Sequence, residues 1–147
     1  MTIQFLDLRI SSQDNSDAAP VAIPLAAAPL VFGDIGLQTS GVLAANQGLV
    51  RVLLTGYAKV VVSPQFGLLT LQIIRNDEAT PIFSTTFGAA DNLDNEGWGF
   101  SAVDFPSAAL VTTGQIRYRV QIFAAAAGST IGARNFSGTA AAGNFTG

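Results

Sequence analysis

Hydrophobic and polar positions alternate most regularly in two stretches of the chain. In GLLTLQIIR, Leu69, Leu71 and Ile73 are separated by Thr70 and Gln72; in QIRYRVQIF, Ile116, Tyr118, Val120 and Ile122 are separated by Arg117, Arg119 and Gln121. Successive side chains of an extended chain point to opposite faces, so both stretches predict strands buried on one side only. The longer run LVRVLLTGYAKVVV sets Val50, Val52, Leu54, Ala58, Val60 and Val62 on one face. It is long enough to cross a whole sheet or to turn a corner between two, and Gly56 stands where a bulge would be tolerated.

Turn residues divide the chain into strand-length segments at 30–38, 49–62, 67–75, 81–88, 97–105, 115–124 and 130–142. Residues 2–10 read as one more short strand, followed by the polar connector SSQDNSDAAP. No stretch combines helical periodicity with caps, and the Ala-rich pieces are short and lie beside Pro or Gly. About eight short strands at this spacing predict an all-β fold, a two-sheet antiparallel sandwich with a jelly roll as one candidate topology. The expected organisation is an N-terminal arm and linker over residues 1–20 and a single sandwich domain over 21–147.

Composition narrows the function. The 147 residues are 49% hydrophobic and only 12% charged, with a net charge of −3. A surface so poor in charge offers little resistance to association. The seven basic residues are scattered, which opposes capture of nucleic acid. Cysteine and histidine are both absent. That removes disulfides, Ser-His and Cys-His nucleophiles and ordinary zinc sites, and leaves carboxylates and Lys59, the only lysine, as candidate catalytic groups. No enzyme is expected. The start of the chain lacks the pattern of a secretory signal, and the longest apolar stretch, VAIPLAAAPLVFG, is interrupted by Pro24 and Pro29 and is too short to span a bilayer.

The densest polar cluster is DNLDNEGWG. Asp91, Asp94 and Glu96 are candidate calcium ligands there, although Leu93 occupies a ligand position of the EF-hand pattern; the plainer reading is a solvated turn. No other cofactor is indicated. Asp104, between Val103 and Phe105, and Arg75, at the end of an alternating strand, are candidates for a buried ion pair; a strand-end Asp bonding nearby backbone is the preferred alternative. Phe32, Phe66, Phe83, Phe87, Trp98, Phe100, Phe105, Phe123 and Phe136 are spread one or two to a strand and read as sandwich core. The closing segment nearly repeats itself, Asn135-Phe136-Ser137-Gly138 returning as Asn144-Phe145-Thr146-Gly147. Both copies match a glycosylation acceptor, but a final strand and an exposed echo of it is the simpler reading.

Several segments together resemble a known family. Ile73-Ile74-Arg75-Asn76, Ile82-Phe83-Ser84-Thr85, Phe100-Ser101-Ala102-Val103-Asp104-Phe105, Tyr118-Arg119-Val120 and Asn135-Phe136-Ser137-Gly138 are similar in order and spacing to the exosporium protein C group of spore-surface proteins. The similarity spans residues 49–142. It departs from that group at the N-terminus, at the acidic insertion 91–96, at Ala133-Arg134 and at the tail 143–147. The resemblance implies a small all-β protein of the spore's outer layers, without known catalytic residues, made in the mother cell and deposited without a secretion signal. Its expected partners are copies of itself and other spore-coat proteins.

The resulting expectation is a structural protein that self-assembles at a spore or cell surface into a layer, a filament or a closed oligomer. In one route the N-terminal arm adds to a neighbour's sheet edge, with Ile3, Phe5, Leu6 and Leu8 setting the register and Phe145 docking on a neighbour. The plain alternative is that the same segment pairs within its own domain. A second class of function is a carbohydrate- or calcium-binding module that uses Asp91, Asp94, Glu96 and Trp98 at a sandwich end.

Overall fold

The computed structural model describes residues 3–63, 67–88 and 94–144, with side chains of the last stretch described from residue 96. Among the described residues nine strands follow one another: β1 (Gln4–Asp14), β2 (Val21–Ala22), β3 (Leu30–Gln38), β4 (Val50–Val62), β5 (Leu68–Arg75), β6 (Phe83–Gly88), β7 (Asp94–Asp104), β8 (Gln115–Ala124) and β9 (Thr130–Ala142). They form two antiparallel sheets. The first has the order β1-β9-β4-β7, with the short β2 also paired to β9, and the second has the order β3-β8-β5-β6.

The pairs β1·β9, β3·β8, β4·β7 and β5·β6 are nested, as if one long hairpin had been closed from its tip at β5 and β6 outward. Wrapping that hairpin around itself adds the pairs β4·β9 and β5·β8 and completes the two sheets. This is the jelly roll, a two-sheet sandwich of Greek keys.

Alternation builds the core between the sheets. Val50, Val52, Leu54, Ala58, Val60 and Val62 of β4 are buried against Leu69, Leu71 and Ile73 of β5 and Ile116, Tyr118, Val120 and Ile122 of β8. Phe100 lies between Phe32 at 6.2 Å, edge to face, and Phe136 at 6.3 Å, stacked. Each buried side chain of this size contributes about 1.5–3 kcal/mol. β4 runs through the first sheet without turning a corner. Its irregularity against β9 falls between Ala58 and Val60, not at Gly56. Gly56 is regularly paired on both sides, and it is required because a Cβ there would run into the Phe100 ring and stand 2.7 Å from the Asn135 carbonyl.

The N-terminal segment is not an arm. β1 pairs with β9 from Gln4 to Asp14, so the first part of the polar connector, Ser11 to Asp14, is strand as well. What remains of the connector is tied down: Asp14 accepts a hydrogen bond from the Ser16 N–H, and Asp17 accepts one from the Ala133 N–H at 2.8 Å. The physical reason is that the closing strand β9 would otherwise be an unpaired edge of 13 residues. Among the described residues two short helical pieces interrupt the strands, a 3-10 turn at Ala44–Leu49 and the helix α1 (Ala108–Val111). In the second, the Ser107 hydroxyl caps the Leu110 N–H, a signal visible in the sequence but too short to show periodicity.

Candidate functional site

The two sheets differ in the faces they turn to solvent. On the outer face of β3-β8-β5-β6 charges and amides pair with one another: Arg117 with Asp34, and the Gln121 amide with Gln72 at 3.1 Å. The outer face of β1-β9-β4-β7 is apolar over half its length. Register places its side chains in rows: Phe5, Ala141, Arg51 and then Phe105 just past the end of β7; Leu8, Thr139, Leu53, Val103; Ile10, Ser137, Thr55, Ser101; and Ser12, Asn135, Tyr57, Gly99. Phe5, Leu8, Ile10, Leu53, Val103 and Phe105 are each about half exposed or more, up to 72% at Ile10.

Arg51 is the one charged residue in these four rows, and its guanidinium carbon lies 4.9 Å from the centre of the Phe105 ring. Such stacking holds the cation without removing it from water. Along the middle of the face, Ala141, Thr139 and Ser137 of β9 are small, and hollows form above them. One of about 450 Å³ lies between β9 and β7, lined by Arg51, Leu53, Val103, Phe105, Thr139 and Ala141. Another of about 290 Å³ lies toward β1, where Leu8 and Ile10 face Ser137 and Asn135.

The expected assembly residues fall partly on this face. Phe5 and Leu8 are on it, and Ile3 is exposed just before β1. Leu6 is not: an irregularity in β1 between Phe5 and Asp7 leaves it out of the ladder, and it packs against the core. Phe145 lies outside the described residues. Ile10, Leu53, Val103 and Phe105, on the same face, are not marked as assembly residues by the sequence alone. Phe105 is 63% exposed, contrary to its expected place in the core, because it follows the last paired residue of β7 and stacks on Arg51 instead. Phe123 is also outside the core, half-buried on the opposite sheet's outer side. The signal for the apolar face was present in the alternate residues of β4 and β7, but periodicity alone does not show which strands adjoin.

Asp91 lies outside the described residues, whereas Asp94 and Glu96 belong to β7, opposite Val62 and Val60. Among the described residues no group of three or more acidic side chains stands close enough to hold a metal. Trp98 packs on Phe87, ring centres 5.5 Å apart, and is only partly exposed. Asn135 of the first acceptor motif sits in mid-strand, paired on one side to Ser12 and on the other to Tyr57.

Asp104 and Arg75 do meet. The Arg75 guanidinium donates to both Asp104 oxygens, at 2.9 and 3.0 Å, and also to Glu78. Asp104 further accepts from its neighbour's backbone, Phe105 N–H at 2.9 Å, so both readings of this residue hold at once. The buried Tyr118 hydroxyl donates to Asp104 Oδ2 at 2.7 Å. Burial, with the hydrogen bond to Asp104, pushes the Tyr118 phenol far above its ordinary value, so it remains a donor at any physiological pH. Hydrogen bonding to Glu78, opposed by partial burial and aided by Asp104, raises Arg75 as well. The cluster links β7 of one sheet to β5 and β8 of the other.

No family model and no curated protein matches the sequence. Solved structures share the fold. The infectious bursal disease virus Gt strain structure superposes with a TM-score of 0.54 at 9% identity, over 93% of this chain and 37% of that one. The VP2 subviral particle of the same virus gives 0.51 at 9% identity, over 90% and 32%. Latent PorU from Porphyromonas gingivalis gives 0.51 at 11% identity, over 93% and 13%. The chain thus spans about a third of the viral chains and a much smaller part of PorU. Among the described residues no helix is long and apolar enough to cross a membrane.

Proposed function

We propose that this chain is a non-enzymatic structural protein that assembles with copies of itself into a surface layer, in the outer coat of a spore as the resemblance to the exosporium protein C group implies. The observation that carries the reading is the apolar outer face of β1-β9-β4-β7. Its rows from Phe5 to Tyr57 cover about 400 Å² at the usual strand spacing and rise. The largest exposed patch of a monomer is commonly of this size and is often functional. A chain with only 12% charged residues adds little electrostatic repulsion to such contacts.

The VP2 chains supply a second, weaker support. They are described as a subviral particle and as derived T=1 particles, so a similar fold occurs in chains that assemble. Light scattering of the purified protein together with negative-stain electron microscopy tests the proposal. Particles, sheets or filaments are expected; a monomer at every soluble concentration would refute it.

A further inference from the structure

We infer that two copies of this chain stack through the outer faces of their β1-β9-β4-β7 sheets, related by a two-fold axis that runs along the strands between β9 and β4. The inference rests on the self-assembly reading and specifies its elementary contact. Three features of the face select a second copy as the occupant.

The first is extent. The four rows from Phe5 to Tyr57 span the width of the sheet and about 400 Å² of it in plan, and their large side chains stand clear of it, with Ile10 72%, Phe5 64% and Phe105 63% exposed. Two such patches face to face cover about 800 Å² in all, the small end of specific protein contacts. A small ligand in the hollow beside Phe105 would leave most of the face uncovered.

The second is self-complementarity. An axis between β9 and β4 exchanges those two strands and also exchanges β1 with β7, while each row stays level with itself. Leu53 and Thr139, cross-strand neighbours in one copy, then stand over Thr139 and Leu53 of the other. The small β9 side chains leave room for the partner's Leu53 in the hollow that Thr139 and Ala141 floor. On the flanks, Phe5 meets the partner's Phe105 and Leu8 meets the partner's Val103. Phe5, Leu8, Val103 and Phe105 thereby gain apolar neighbours, as the inner faces of two packed sheets require, while Leu53 fills the hollow over Thr139.

The third is what borders the patch. Beyond the apolar rows lie Ser12, Asn135, Tyr57 and Gly99, a flat polar margin with hydrogen-bonding capacity. An apolar centre with a polar rim is the usual anatomy of a contact between two proteins. A closed two-fold contact uses the same patch twice, so no second surface of the molecule is needed.

The experiment exploits the absence of cysteine. Leu53→Cys and Thr139→Cys are made in separate full-length proteins, mixed, and oxidised mildly. The mixture is expected to form a disulfide-linked dimer at several times the yield of a mixture containing Ser84→Cys on the other sheet. Leu53→Asp, at a half-exposed site that leaves the core untouched, is expected to weaken association about thirtyfold or more. Its far-UV spectrum and Tm should stay those of the parent. An assembled parent protein with no Leu53–Thr139 cross-link, and with Leu53→Asp still assembled, would overturn the face-to-face contact while leaving self-assembly standing. A parent protein that is monomeric would overturn both.

Discussion

The Asp7 carboxylate of β1 accepts a hydrogen bond from the backbone N–H of Gln38 in β3 at 2.8 Å, joining the first strand of one sheet to the edge strand of the other. Four residues further on, the Ser11 hydroxyl accepts from the Asp34 N–H. Side chains of β1 therefore occupy outward-pointing donors of β3, which would otherwise offer an open edge to another chain. Asp7→Ala is expected to cost about 1–2 kcal/mol, the consequence of leaving a backbone donor without its partner. Urea denaturation of the variant beside the parent checks it.

The same carboxylate makes stability depend on acid. Slight desolvation pushes the Asp7 carboxyl upward, but the hydrogen bonds from Gln38 and Arg9 outweigh it and hold the group below its ordinary value of 3.8. Asp34 is held low by its hydrogen bond and charge pairing with Arg117, against partial burial. A carboxylate whose folded value lies below its unfolded value stabilises fully above the unfolded value, and loses that contribution as pH falls through the folded one. Stability should therefore be flat from neutrality to about pH 4 and fall below it. The double variant Asp7→Asn with Asp34→Asn should show a shallower fall in denaturation midpoints measured between neutral and strongly acid pH.

The cluster of Asp104, Arg75 and Tyr118 predicts two unequal losses. Asp104→Ala leaves Arg75 and the buried Tyr118 hydroxyl without their shared acceptor, and should cost about 3 kcal/mol or more. Tyr118→Phe removes one donor while Arg75 and the Phe105 N–H keep theirs on Asp104, so about 1–2 kcal/mol is expected. Thermal and chemical unfolding of both variants measures the difference.

Much of this architecture was legible in the alternation of residues. Seven strand segments, from 30–38 to 130–142, coincide with observed strands to within three residues at either end, since buried and exposed positions of strands such as β5 and β8 differ sharply in chemistry. β1 was harder. Its residues Phe5, Leu6, Leu8 and Ile10 do not alternate, because the irregularity at Leu6 shifts the phase, and Phe5, Leu8 and Ile10 are apolar on the outside. The apolar face was illegible for a related reason. Leu53, Val103 and Phe105 belong to distant segments, and only the strand order brings them beside Thr139 and Ala141. The ion pair of Arg75 with Asp104 likewise depends on which strand ends meet across the sandwich.

Close packing above Gly56 gives a prediction for the core. Gly56→Ala would force the Phe100 ring and the β9 backbone at Asn135 apart, and should destabilise by about 1–3 kcal/mol. Gly41→Ala, where an added Cβ meets nothing within 4 Å, should leave the unfolding midpoint within about 0.5 kcal/mol of the parent.

Sedimentation equilibrium of the parent protein and of Leu53→Asp, over a range of concentrations, tests most directly whether the apolar sheet face drives association. A multiple of the monomer mass is expected for the parent, and a shift toward monomer for the variant at equal concentration. A parent that sediments as a monomer throughout, or a variant that associates as strongly as the parent, would contradict it.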